Sequence, residues 1–327
     1  MSFERKNNNK LLLIFIHGFK GNDKTFEDFP NRLRDVIKTT KNIDTESIVY
    51  PKYETRGNLQ LAVIKFCEWL EENVKTHEEM IKGKGSIWVC LCGHSMGGIL
   101  AADTILRYES LISKPVNIIG LLAFDTPYYG LHGDVFSKAA MEKATSYNKT
   151  IGTTMSLISS ATGFYSKATE TSNNSTTVKK SSGFGKYGMA ALASVALIGG
   201  AAYMHKEKVA KGVDWLGSHL EYVGILWNDS ELKKRVNSLV EVPNITFHCY
   251  YSLIQPTNAN TSSRTFISLP PQEMMAYFSP ATSSASDEID AHVSMFDPNE
   301  NHHYFDLGHV TLQKLNEMID KWEILHN

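Results

Sequence analysis

The sequence predicts an α/β protein built on a mostly parallel sheet with helices on both faces, and three observations carry that prediction. Short apolar runs of strand length alternate with stretches in which apolar residues recur every three or four positions. Turns bearing glycine, proline or other polar residues separate them. The alternation repeats four times within residues 11–124, which implies right-handed crossovers and one sheet.

Residues 11–16 form an unbroken apolar run that closes in His17-Gly18, as expected of a strand buried on both faces. Asp28 is placed to cap, and Pro30 to open, a helix carrying Phe29, Leu33, Val36 and Ile37 on one stripe. Residues 47–53 supply a second strand. Leu59, Val63, Phe66, Leu70 and Val74 then mark one face of a second helix. Residues 86–92 are a third buried strand, followed by a glycine-rich turn and by Ile99, Ala102, Ile105 and Leu106 at helical spacing. Residues 116–124 make a fourth. The pattern lapses over 128–241 and resumes with a strand over 245–253 and a closing helix over 307–324. The expected organisation is a core of residues 10–130 and 240–327 interrupted by an insertion over 131–239. A chain of 327 residues calls for such an addition, because single cores stop growing at roughly 250–300 residues. Within the insertion, residues 169–182 carry almost nothing apolar to offset the entropy of ordering, so that stretch is expected to be mobile.

With 42% apolar and 21% charged side chains, the composition is that of a globular protein. Lysine and arginine total 33 against 35 aspartates and glutamates, with no long basic run, which removes nucleic acid as a main partner. The cysteines, Cys67, Cys90, Cys92 and Cys249, are scattered and show no zinc spacing with histidine. The polar opening residues lead into only six apolar ones, fewer than a secretory signal needs. A reducing, cytoplasmic location is therefore expected, and the sequon at Asn244 is read as chance.

Gly93-His94-Ser95-Met96-Gly97-Gly98 lies between a predicted buried strand and a predicted helix, the context in which a G-x-S-x-G match marks a nucleophile elbow. Gly93 and Gly97 would let strand and helix approach while Ser95 projects outward. The turn at His17-Gly18-Phe19 leaves the first strand at the same carboxyl edge of the sheet. Backbone amides of Met96 and Phe19 are then the expected pair of oxyanion donors, with His17 a structural brace for the loop.

On these residues the chain resembles the α/β-hydrolase serine esterases and lipases. It is similar in particular to the serine-esterase, lipase-like proteins of fungi, through FIHGFKGNDKTFEDFP, GHSMGGILAA, AFDTPYYGLHG and AHVSMFDP. The resemblance spans residues 10–135 and 240–327. It implies the α/β-hydrolase fold and a serine hydrolase acting on an ester or thioester, without metal or organic cofactor.

A serine hydroxyl needs a histidine base oriented by a carboxylate. In the resembled fold the order is serine, acid, histidine, with the histidine between the last strand and the closing helix. His292, His302, His303 and His309 qualify. His292 is favoured by its small and apolar neighbours and by the resemblance; His302 and His303 sit in a polar turn and His309 inside the closing helix. Asp125 ends the fourth strand at the sheet edge where the elbow opens. The resemblance to pancreatic-type lipases, which place their acid there, and the lack of any Asp or Glu in 254–258 both favour it. Asp287, Glu288 and Asp290 are the alternatives, and Asp125 as a mere turn cap is the structural one.

Residues 189–204 are uncharged but shorter than the roughly twenty needed to span a bilayer. A single crossing would also split one sheet between two compartments. The run is expected to be a core helix, a lid, or a shallow membrane contact, with residues 213–227 beside it reading as an amphipathic helix. Peripheral contact with an intracellular membrane through 189–227 and a hydrophobic acyl-ester substrate follow as expectations. The rival readings are an acyl-protein thioesterase or phospholipase using the same triad, and a non-catalytic membrane-associated binding protein that keeps the fold.

Overall fold

The computed structural model describes residues 9–18, 21–51, 53, 58–133, 226, 228–256 and 261–326. Among the described residues seven strands form one sheet: β1 (Lys10–Ile16), β2 (Asp44–Val49), β3 (Ile87–His94), β4 (Ile118–Phe124), β5 (Thr246–Ile254), β6 (Arg264–Thr265) and β7 (Phe278–Ser283). The order β2-β1-β3-β4-β5 is parallel throughout. β7 runs parallel to β5, and the short β6 pairs in antiparallel with the end of β5 at Leu253 and Ile254. This is the α/β-hydrolase class of fold expected from the sequence.

Burial explains which strands read clearly. β3 and β4 are buried along their whole length, and β1 at every residue after Lys10, because helices cover both faces. β2 lies at the sheet edge and begins at Asp44, three residues before the expected start at 47, and it ends at Val49. Its polar opening is used at the surface, where Lys10 Nζ lies 3.2 Å from Asp44 and 2.9 Å from Glu46.

The helices α1 (Phe29–Lys41), α2 (Leu59–Ile81) and α3 (Met96–Glu109) fill the expected crossovers. In α1, Phe29, Leu33 and Ile37 are buried, whereas Val36, at the margin of the same stripe beside Phe29, is 40% exposed. Asp28 sits at the N-cap, but its carboxylate accepts from Asn31 Nδ2 at 3.0 Å and caps no helix amide. Helix α4 (Asp229–Val240) falls in the stretch expected to be insertion, yet it packs on the core. Its buried Leu232, Val236 and Leu239 face inward, and Arg235 makes a bidentate pair with Asp103 of α3. A 3₁₀ turn, η1 (Gln272–Tyr277), leads into β7. Helices α5 (Glu288–Val293) and α6 (Tyr304–His326) close the chain.

The chain divides into two units, Met1–His132 with Val209–Asn327, and Gly133–Lys208. The expected mobile stretch 169–182, the uncharged run 189–204 and, except for the buried Leu226, the amphipathic stretch 213–227 lie outside the described residues. Among the described residues no helix is long and apolar enough to cross a membrane.

Beneath the carboxyl edge of the sheet, Phe26, Phe29, Phe124 and Phe296 form an aromatic cluster in which Phe296 lies 5.0 to 5.2 Å from the other three. Phe296 follows α5 by three residues, so this cluster anchors the segment that carries His292.

Candidate active site

Ser95 stands between β3 and α3 with φ 55° and ψ −128°, a conformation that costs an L-residue of order 1–3 kcal/mol unless its surroundings enforce it. Its amide donates to Phe124 O at 2.9 Å, and its carbonyl accepts from Gly98 N at 3.1 Å. Close packing completes the constraint. A Cβ on Gly97 would lie 2.1 Å from Ile16 O, one on Gly93 2.5 Å from the Gly98 Cα, and one on Gly98 2.1 Å from Thr126 Oγ1. Gly98 is thus a third enforced glycine beside the two expected.

The loop leaving β1 comes against this elbow: a Cβ on Gly18 would fall 2.6 Å from Ser95 Cβ. His17 is fully buried there, its ring stacked on Tyr53 at 4.8 Å, and its carbonyl accepts from the Tyr53 hydroxyl at 2.9 Å. Met96 opens α3 directly after Ser95; Phe19, the other expected oxyanion donor, lies outside the described residues.

Asp125 follows β4 with φ 49° and is completely buried. Its Oδ2 accepts from His292 Nδ1 at 2.8 Å and from Ser252 Oγ at 2.8 Å, while Oδ1 accepts from Ser252 N at 2.9 Å. A buried carboxylate with three donors is satisfied and held in one orientation. The alternative acids are engaged or turned elsewhere. Asp287 caps α5 through the amides of Ile289 and Asp290, Glu288 pairs with Arg264 at 3.1 Å, and Asp290 is exposed. Of the other histidines, His303 pairs with Asp306 and His309 contacts Gln313 on α6.

The His292 imidazole is 7% exposed and lies between two rings. His94 stacks on one face at 4.4 Å and 27°, and Phe266 on the other at 3.8 Å and 16°. His94 Nε2 also lies 3.1 Å from the His292 carbonyl, which can only accept, so that nitrogen carries the proton. Burial, reinforced by the neighbouring His292, pushes His94 well below the usual histidine value and keeps it neutral. Ser95 adjoins His94, whose ring stacks on His292, and its amide bonds to the residue before Asp125, so it stands next in the chain or by hydrogen bond to neighbours of the bonded His292–Asp125 pair. No hydrogen bond joins the Ser95 hydroxyl to His292 among the described residues; such contacts commonly tighten only when substrate is bound.

Two residues of this arrangement escaped the sequence reading. Ser252 is one of four hydroxyl-bearing residues in β5, beside Thr246, Tyr250 and Tyr251, so nothing in the sequence singles it out, and Phe266 carries no signal either. Among the described residues no group of three or more His, Cys, Asp or Glu side chains is arranged to hold a metal ion.

Comparison with known proteins adds a family. The family described as "Putative serine esterase (DUF676)" matches residues 6–182. No curated protein matches the chain. Among solved structures it is similar to phospholipase PlaB from Legionella pneumophila, at 16% identity over 37% of this chain and 26% of that one, with a TM-score of 0.30. The match thus spans about a quarter of the phospholipase. A carboxylesterase from Nitrososphaera gargenis aligns at 10% identity over 94% of this chain and 91% of that one, with a TM-score of 0.37. A soluble variant of monoglyceride lipase from Saccharomyces cerevisiae aligns at 20% identity over 44% and 45%, with a TM-score of 0.28.

Proposed function

The chain belongs to the DUF676 serine-esterase family, and from that premise we propose that it hydrolyses carboxylic esters through an acyl-enzyme formed on Ser95. The observation that carries the reading is the 2.8 Å bond from His292 Nδ1 to the fully buried Asp125, beside a serine held at positive φ. A carboxylate only accepts, so Nδ1 bears the proton and the Nε2 lone pair is left to take one from Ser95.

In the proposed cycle, Ser95 Oγ attacks the ester carbonyl carbon as His292 Nε2 accepts the hydroxyl proton. The carbonyl π pair moves to oxygen, where the amides of Met96 and Phe19 receive the charge. Collapse breaks the bond to the leaving oxygen, which takes the proton from His292, and water repeats the sequence on the acyl-serine. Asp125 orients the ring and stabilises the imidazolium. We assign the substrate to the hydrophobic acyl esters because the sequence places the uncharged run 189–204 and the amphipathic stretch 213–227 in the same chain. Those stretches, by the same reading, make peripheral contact with an intracellular membrane.

A fluorophosphonate probe tests the reading. The wild-type protein is expected to label with one equivalent, and Ser95→Ala not at all; His292→Ala should slow labelling by orders of magnitude. A series of p-nitrophenyl esters of increasing acyl length then reads substrate preference, with longer chains favoured. Labelling of Ser95→Ala at the wild-type level, or a wild-type protein inert to probe and esters alike, would overturn the proposal.

A further inference from the structure

We propose that Phe266 is a positioning residue whose ring, lying on one face of the His292 imidazole while His94 covers the other, holds this base in place and stabilises its protonated form. The inference rests on the role given to His292 above and deepens it.

An imidazole has two faces, the Nδ1 side and the Nε2 edge. Among the described residues Phe266 and His94 take the faces and Asp125 takes Nδ1, which leaves the Nε2 edge to meet a reactant. Rotation of the ring out of this plane would break both stacks. The phenyl ring lies close and nearly parallel, at 3.8 Å and 16°, and presents the negative face of its quadrupole to the imidazole. That contact is worth more when the imidazole is a cation than when it is neutral, which is the change His292 undergoes as Ser95 attacks.

The opposite face is suited to the same task. A charged His94 would repel an imidazolium 4.4 Å away. Burial keeps His94 neutral, and its Nε2 proton is directed at the His292 carbonyl, so the second ring packs without opposing charge.

Phe266 is itself fastened from two sides. Its neighbour Thr265 pairs with Leu253 of β5, and its carbonyl accepts from His132 N at 3.0 Å. Ser268 bonds through its amide to Gly130 O and through its hydroxyl to Leu131 O, each at 3.0 Å. Arg264, two residues before Phe266, reaches Glu288 and the carbonyl of Ser286, tying this strand to the start of the helix that bears His292. Both members of the stack are therefore mounted on elements bonded to each other, which limits the play between them.

The charges around His292 make the test clean. Asp125 faces the ring from just past β4 and His94 from β3, with His17, just past β1, close enough to His94 to influence it. Arg264 on β6 is paired with Glu288, and Glu288 and Asp290 lie on the histidine's own helix. Replacing Phe266 alters none of these.

The experiment measures the second-order rate constant for fluorophosphonate labelling against pH, using the full chain with Phe266, Phe266→Leu, Phe266→Met or Phe266→Trp. Leucine and methionine keep an apolar cover but remove the π face, and each guards against the other's failing to fold. With the aliphatic variants the plateau rate is expected to fall by about 2- to 30-fold. The acid limb should move to lower pH by up to roughly 1.5 pH units, because a less stabilised imidazolium gives up its proton more readily. Phe266→Trp should keep both plateau and limb near wild type, and kcat for p-nitrophenyl butyrate should fall more than KM rises. An aliphatic variant with wild-type plateau and limb would overturn the proposal; so would a lower plateau with an unmoved limb, the signature of structural support alone. A wild-type protein that the probe does not label would instead remove the role of His292 on which the inference stands.

Discussion

Asp125→Asn is the sharpest perturbation of the site, because the structure dictates how the amide must sit. The two carboxylate oxygens have different partners: Oδ1 faces the Ser252 backbone N–H, while Oδ2 faces the Ser252 hydroxyl and His292 Nδ1. A backbone N–H can only donate, so the amide oxygen must take the Oδ1 place and the NH₂ the Oδ2 place. The Ser252 hydroxyl can turn to accept from that NH₂, but His292 Nδ1 must then become an acceptor. Its proton moves to Nε2, and the nitrogen facing the reaction can no longer take one from Ser95. Restoring the productive tautomer requires flipping the amide, which leaves two buried donors facing each other at about 1–3 kcal/mol apiece. The productive arrangement is thus penalised by about 2–6 kcal/mol, or roughly 30- to 10⁴-fold in rate. The assay is kcat/KM on p-nitrophenyl butyrate beside the fluorophosphonate labelling rate, with a thermal melt to show that the fold persists. Activity within tenfold of wild type would refute the reasoning, since neither orientation of the amide permits it.

Two further outcomes follow from buried geometry. Gly97→Ala would place a methyl 2.1 Å from the Ile16 carbonyl oxygen, a backbone atom at the end of β1 that cannot turn aside, so a loss of about 3 kcal/mol in urea unfolding is expected. A variant that melts with the wild type would show that β1 and α3 are not in such close contact. His248, pushed down to about 4 by burial, should make stability depend on pH. As pH falls below about 6.5 the unfolded chain binds this proton first, so the contribution is intact above that value. It is lost progressively towards pH 4, by up to roughly 3 kcal/mol, and flattens below. Urea midpoints at half-unit intervals from pH 7 to 4, compared with those of His248→Asn, would expose it; parallel curves for the two proteins would sink it.

The sequence revealed the inside of the sheet better than its margins, for a physical reason. β1, β3 and β4 are buried on both faces, so every position is under the same demand and the run of apolar residues is unbroken. β2 and β7 are half in water, and their letters, Asp-Thr-Glu-Ser-Ile-Val and Phe-Ser-Pro-Ala-Thr-Ser, obey no such demand. Pro280 even forfeits a ladder donor on β7, which an edge strand tolerates. Helix α4 was obscured by its charged stretch Glu-Leu-Lys-Lys-Arg, in which Arg235 turns inward to Asp103.

In the site, what was legible had a local constraint behind it. The elbow needs its glycines within three residues of Ser95, and chain order narrows the histidine and the acid to a few positions. Phe266 and Ser252 act across the fold, by a ring contact over 26 positions and a hydrogen bond over 127, and leave no mark on their neighbours. Ser252 nevertheless shows why position 252 itself does not carry a second acid beside Asp125. Its side-chain oxygen lies 2.8 Å from Asp125 Oδ2 in a place closed to water. A carboxylate on that side chain would set two like charges in contact, and one of them would have to stay protonated. A short hydroxyl there does the opposite, donating its proton to the oxygen that also receives His292. The acid after β4 and the serine on β5 are therefore one choice expressed at two positions: with Asp125 in place, a donor is what the site requires beside it.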